Sequence, residues 1–380
     1  MTKIIIQDVH IFNGENVLPP SYVVITRSEG NIQDRMDDCS DAETSDIAVD
    51  GKNCTLIPGL VDANVNIKGT VTALRTFASH GVTTVIDLSS NTEQIQALRV
   101  YAAGKQGLPT VLSCGTQIAP FRDHQRKPHD NTNETVIHTR EDATSYVSSR
   151  ASGPDRSDFI QVDVDIHSLS DELLRTIVDA AHTHDKLTIA RTARKASYHR
   201  AMKAGFDIFT HAPLDEPLDA ELAREMAAQK KVFVPTLTAS RGHAAPRQGA
   251  NPGPAFRTAY KNAVKSVHVA YEAGVTICAG TTANMNPGDQ TPGDQIPFGE
   301  SLHEELRLLT EAGMHPLDVL RAATCLAAKA FRLHDRGIVR GGLRADLLLI
   351  DGNPLEDITA TCRVRKVWIQ GRPLEPETTE

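Results

Sequence analysis

The chain has no CxxC pair, no long apolar run and no strong block of lysine and arginine, and each absence removes a class of protein. The six cysteines (Cys39, Cys54, Cys114, Cys278, Cys325 and Cys362) are scattered, so neither a zinc ribbon nor a disulfide framework is indicated. No stretch stays apolar for the length of a membrane span. The opening "MTKIIIQDVHIFNG" alternates like a strand and lacks the basic start, apolar core and small-residue cleavage site of a signal peptide. A formal net charge of −8 without a basic run argues against nucleic acid, whose binding needs a cationic face to release counterions. The expectation is a reduced, cytoplasmic protein with neither nucleic acid nor a membrane as partner.

What is present is ordinary globular composition over 380 residues, 40% hydrophobic and 23% charged, enough for one large domain and a smaller one. Short runs rich in β-branched residues alternate with helical stretches through the middle of the chain. "LVDANVN", "GVTTVIDLSS", "LPTVLSCG", "DFIQVDVDI", "DKLTIAR", "FDIFTH", "KVFVPTL" and "GVTICAGT" are eight candidate strands. Between them lie helical patterns such as "SDELLRTIVDAAHTHD", where Ser170 is placed to cap the helix. Eight βα units in about 280 residues is the size of a TIM barrel. Both ends instead read as strands and turns, in "KIIIQDVHIFNG" and "SYVVITRSEGNIQD" and again in "ADLLLIDGNPLED" and "RKVWIQGRPL". The predicted fold is therefore α/β, a (β/α)8 barrel over residues 58–336 with a small β-sandwich domain built from 1–57 and 337–380. The polar segment 34–46 reads as an exposed turn.

Six segments together resemble the amidohydrolase superfamily, in particular its imidazolonepropionase-like and prolidase-like branch. "IPGLVDA" matches the first barrel strand, "GVTTVID" the second, "AGFDIFTHAPLD" the sixth and "VPTL" the seventh. "AATCLAAKAF" matches the helix leaving the barrel, and "GLRADLLLIDGNPLED" the return to the β domain. The resemblance implies one or two divalent metals, held by two histidines on strand one, often a carbamylated lysine on strand four, histidines on strands five and six, and an aspartate on strand eight. At those positions this chain has Asn64 and Asn66, Gln161, Arg191, His211 and Thr282, so only His211 is kept. The resemblance also implies a homodimer as the assembly to test for.

A divalent metal needs lone pairs from imidazole, carboxylate or thiolate; amide oxygens are weak donors for zinc, and arginine has none to give. Removing one residue that merely supports a ligand costs ~10–100-fold in metal affinity, so replacing several ligands compounds to many orders of magnitude. Arg191 adds a fixed positive charge where the cation would sit. The expectation is a site with no metal and no other cofactor.

Strand alternation places Asp62, Asn64 and Asn66 on one face and Gln161, Asp163 and Asp165 on another. The resemblance gathers these faces at the C-terminal mouth of the barrel with Arg191, His211 and Thr282, where TIM-barrel active sites lie. His211, Arg191 and Asp163 are the candidate catalytic residues: His211 as general acid or base, Arg191 to bind a carboxylate or stabilise an enolate. Asn64, Asn66, Gln161, Thr282, Asp62 and Asp165 are candidate substrate-binding residues. Set against this, the amides could satisfy one another, and Arg191 could form a structural pair with Asp163 or Asp165.

Without a metal hydroxide, proton transfer becomes more plausible than water attack: isomerisation, elimination, carbon–carbon cleavage or cyclisation of a small polar or anionic substrate. The alternatives are hydrolysis of a C–N or ester bond in a cyclic substrate at an altered site, and a noncatalytic protein for ligand sensing or assembly. His182 and His184 read as solvated residues near a helix end. The basic "PFRDHQRKPHDNTNE" and the Pro/Gly-rich "NMNPGDQTPGDQIPFGES" read as loops at the mouth, a flap and a lid in the functional version.

Overall fold

The computed structural model describes residues 3–36, 46–103, 105–118, 137–153, 155–165, 169–244, 254–285 and 296–375. The basic segment with Arg122, His124, Arg126, Lys127 and His129 lies outside the described residues. So do most of 34–46 and most of the Pro/Gly-rich segment after the last barrel strand.

The described strands, in chain order, are β1 (Lys3–Phe12), β2 (Val17–Thr26), β3 (Asn31–Met36), β4 (Ile47–Asp50), β5 (Cys54–Pro58), β6 (Leu60–Val65), β7 (Val82–Asp87) and β8 (Thr110–Ser113). They continue as β9 (Ile160–Asp163), β10 (Thr188–Arg191), β11 (Ile208–Thr210), β12 (Val232–Val234), β13 (Thr276–Ile277), β14 (Leu347–Asp351), β15 (Val364–Ile369) and β16 (Arg372–Pro373). The eight from β6 to β13 coincide with the eight runs read as barrel strands. Most of these short β-branched runs, β6 and β7 above all, are buried on both faces, by the barrel interior and by the helices outside it, which is why they read as nearly continuous apolar sequence.

Pairing in this ring is parallel: β6–β7–β8 in one sheet and β9–β10–β11–β12–β13 in another. Two seams close it. At β8–β9 the N–H of Asp158 donates to the Ser113 carbonyl at 2.8 Å, and the Asp158 carboxylate accepts from the Ser113 N–H at 2.8 Å. Beyond β13 the chain returns to β6, where Ala63 N–H donates to the Ala279 carbonyl at 2.9 Å and Val65 bridges Ala283. Helices cover the outside. The one over Asp171–Thr183 starts where Ser170 accepts from the Leu173 N–H, and it buries Leu173, Leu174, Ile177, Val178 and Ala181 at helical spacing. His182, at the end of that helix, pairs with Asp207 at 2.9 Å, on the outer layer and away from the mouth.

Both chain ends join one hydrogen-bonded sheet, ordered β16–β15–β14–β5–β1–β2–β3 with β4 on the first half of β1. It has its own apolar core, from Ile4, Ile6 and Ile11 to Leu347, Leu349 and the fully buried Trp368. On the alternate face Leu348 and Ile350 enter the barrel core. One turn locks the two ends together. Gly14 has φ +102°, and a Cβ there would stand 2.2 Å from the Gly337 carbonyl oxygen. Beside it Val339 N–H donates to the Asn13 carbonyl at 2.8 Å. Gly14→Ala should therefore cost at least about 2 kcal/mol of stability, from left-handed strain plus displacement of the returning backbone. Chemical denaturation reads this, and an unchanged midpoint would show that the turn yields freely.

Candidate functional site

A cavity of about 360 Å³ opens at the C-terminal ends of the barrel strands. Asn64 and Asn66 from β6 and its exit, Gln161 from β9, Arg191 from β10, His211 just after β11, and Thr282 beyond β13 all line it. A larger groove of about 780 Å³, lined by residues such as Arg75, Arg365 and Lys366, lies between a barrel helix and the β domain and includes none of these six. The smaller cavity is the candidate site because the strand ends converge on it.

Several polar groups on its wall are oriented by neighbours. Asn64, only 2% exposed, donates from Nδ2 to Thr210 Oγ1 at 2.8 Å, while its carbonyl accepts the Thr281 and Thr282 N–H groups. Gln161 Oε1 accepts from Cys114 Sγ at 3.0 Å and from Gln117 Nε2 at 3.2 Å. Asn64 and Gln161 are thus held by other neighbours, and among the described residues no bond joins these two amides. His211 Nδ1 lies 2.6 Å from Thr236 Oγ1, and its carbonyl accepts from the buried Tyr198 hydroxyl. Thr282 takes φ +62°, and its buried Oγ1 has no hydrogen-bond partner among the described residues.

Arg191 stands on the wall, yet its Nη1 binds Asp163 Oδ2 at 2.7 Å, with the arginine side chain 50% exposed. The pairing with Asp163 that the sequence left open is present, and it leaves the arginine on the cavity wall. Asp163, expected as a catalytic residue, is that counter-ion, and its Oδ1 also accepts from the Asp165 N–H at 3.0 Å. It is not on the described cavity wall.

Asp165, expected to bind substrate, instead accepts from the Ala193 N–H at 3.0 Å and from the Ser197 hydroxyl, tying β9 to the next βα loop. Asp62, also expected to bind substrate, is likewise held by hydrogen bonds inside the protein. It is fully buried beneath the wall, taking the N–H groups of Asn64 (3.2 Å) and Thr281 (3.1 Å) on Oδ1 and the Thr281 hydroxyl (2.7 Å) on Oδ2.

Among the described residues, no group of three or more His, Cys, Asp or Glu side chains is arranged to hold a metal. The donor set of the cavity, one imidazole with amides, hydroxyls and a paired guanidinium, does not fit a divalent ion. The sequence reading missed several wall residues: Ser89 and Gln117, just past β7 and β8, and Thr236 and Ser240, past β12. Their position after a barrel strand was the available signal.

Three buried carboxylates underlie this wall: Asp62, Glu305 and Asp87, the last of which accepts from the N–H and hydroxyl of the wall residue Ser89. Burial pushes Asp62 up to about 7, against its hydrogen bonds from Thr281 and Asn64. Burial likewise pushes Glu305 up to about 7. Glu305 accepts from Leu237 N–H at 2.9 Å and from the Thr238 N–H and hydroxyl at 2.7 Å each. A carboxyl whose pKa is raised by folding binds its proton more tightly in the native state. Its stabilising contribution is full below about pH 4 and is lost as pH rises toward 7, by up to about 1.4 kcal/mol per pH unit for each group. Asp62→Asn should flatten the fall in stability between pH 4 and pH 7. Denaturation midpoints measured across that range test this, and parallel slopes in parent and variant would contradict it.

The comparisons agree with this architecture. A family model described as the amidohydrolase family matches residues 55–374. The ochratoxinase of Aspergillus niger is 27% identical over 238 residues, 60% of this chain and 44% of its own length. Adenine deaminase 2 of Desulfotalea psychrophila is 41% identical over 70 residues, 18% of this chain and 11% of its own length. The chain thus aligns with less than half the length of either relative. A crystal structure of a Xaa-Pro dipeptidase with bound methionine superposes with a TM-score of 0.83 at 23% identity, covering 99% of this chain and 100% of that one. At that identity the likeness establishes the fold. With the family model spanning the barrel and the C-terminal part of the β domain, the chain belongs to the amidohydrolase family.

Proposed function

We propose that the chain is an enzyme that performs acid/base chemistry on a small polar molecule in the barrel mouth, without a resident divalent metal. The observation that carries this is the make-up of the wall. His211 is the one imidazole on it, and no carboxylate stands on its described part. Thr236 engages Nδ1 and so sets how the ring is presented to a bound molecule, with which the imidazole exchanges a proton.

Around the imidazole the cavity supplies orientation more than charge. Asn66, Gln161 and Ser240 offer amide and hydroxyl groups to a carbonyl or hydroxyl of the ligand, while Leu88, Leu214 and Ala239 cover apolar parts. Arg191, half neutralised by Asp163, polarises an oxygen that becomes more negative as the proton leaves carbon or oxygen. Isomerisation, elimination, carbon–carbon cleavage and cyclisation all run on such a transfer.

Hydrolysis is the second reading, favoured by relatives named as a deaminase and a dipeptidase. In it His211 takes a proton from water as that water attacks a carbonyl held by the amides. Turnover in ¹⁸O-labelled water separates the two: label enters the product in hydrolysis alone. The substrate is found first, by ligand-induced thermal shift over a panel of neutral and anionic small molecules.

Elemental analysis of protein purified without added metal should find no stoichiometric zinc, manganese or iron; a dialysis-resistant ion per chain would overturn the metal-independent reading. On the substrate so found, His211→Asn should retain the fold and lose ~10²–10⁴-fold in turnover, the usual contribution of a positioned acid or base. Unchanged turnover would remove His211 from the chemistry.

A further inference from the structure

We infer that Glu305, outside the cavity, is the positioning residue for His211. It clamps the turn whose Thr236 hydroxyl holds the imidazole. The inference rests on the reading of His211 as the proton-exchanging group, and it adds a residue from a distant helix to that site.

The argument begins with Thr236. It has φ +53°, a left-handed conformation that a β-branched residue adopts only when its surroundings enforce it. In this conformation its hydroxyl meets His211 Nδ1 at 2.6 Å. What enforces the turn lies on both sides. From within the turn, the N–H of Ser240 donates to the Thr236 carbonyl at 3.1 Å and the Ser240 hydroxyl donates to it at 3.3 Å.

From outside comes Glu305, on the helix Glu300–Glu311. One carboxylate oxygen accepts from the N–H of Leu237, and the other from the N–H and hydroxyl of Thr238. The two amides immediately after Thr236 are therefore fixed by a single side chain. Glu305 is fully buried beside Ser301, Leu302, Leu306 and Leu309, and a carboxylate kept out of water there is costly unless these donors are its purpose. A helix cap alone requires one acceptor for one of the first amides. Here three donors converge, on the turn that carries the histidine's hydrogen-bond partner.

The imidazole nitrogens report on this directly, without substrate. In the unliganded full-length chain labelled with ¹⁵N-histidine, the His211 signals are assigned by their loss in His211→Asn. The parent should show a single-tautomer pattern for that ring. Thr236→Val, which removes the hydroxyl, should move it toward the averaged pattern of a tautomer mixture. Glu305→Gln, which places an amide N–H group against one of the donors, should do the same while leaving the other histidines in place. Thr238→Val, which removes one donor, should shift the pattern in the same direction by less, and it decides the matter if Glu305→Gln does not fold.

A lowered melting temperature in Glu305→Gln with the His211 nitrogens unmoved would assign Glu305 to helix capping alone and overturn the inference. So would an unmoved ring in Thr238→Val where that variant decides. Because the spectra need no turnover, failure of the clamp and failure of His211 as the acting base are read by separate experiments.

Discussion

The buried carboxylate of Asp62 is the constraint on which the site depends. It stands on the first barrel strand and takes both the N–H and the hydroxyl of Thr281, at the point where the chain returns from the eighth. Closing the ring there presents the Asn64 carbonyl to the next amides and sets Thr282 in its left-handed conformation on the cavity wall. Were this contact to loosen, the seam between strands one and eight would rest on a few backbone bonds. Asn64 and Thr282 would then lose their common frame.

The eight strands and the composite sheet were legible in the sequence because each is a short β-branched run bounded by turn residues, and burial on both faces leaves that signature intact. Side-chain alternation also put Asp62 on the same face as Asn64. What alternation cannot show is depth. A strand rises about 3.3 Å per residue, so two residues displace a side chain by roughly 6.6 Å along the barrel. Asp62 falls below the cavity floor. Asp163 and Asp165, two and four residues past Gln161, stand beyond the wall and bind Arg191 and the next loop instead. Inward-facing residues of one strand therefore divide into braces and wall by their height alone.

Glu305 was illegible for a different reason. Its partners lie 67 and 68 residues earlier, and nothing in the spacing of "ESLHEELRLLTE" distinguishes it from Glu304. The two differ only in the helix face they occupy. Glu304 binds the guanidinium groups of Arg241 and Arg307 and is held below the usual carboxylate range, while Glu305 is buried and pushed above it. Adjacent residues of one type carry opposite shifts because one pairs with cations near the surface and the other meets only neutral dipoles.

That contrast also explains how the barrel accommodates its altered strand ends. In a barrel holding a divalent ion, the cation would offset nearby buried carboxylates. Here the charged side chain on the described wall, Arg191, is paired with Asp163, and the carboxylates beneath are raised toward the neutral form. Hydrogen bonding has taken over from coordination, with Asn64 on Thr210, Gln161 on Cys114 and Gln117, and His211 on Thr236. A wall built this way has little net charge to offer a ligand. It has directional donors and acceptors whose geometry is already fixed, so it discriminates by the pattern of polar atoms on the bound molecule more than by its charge.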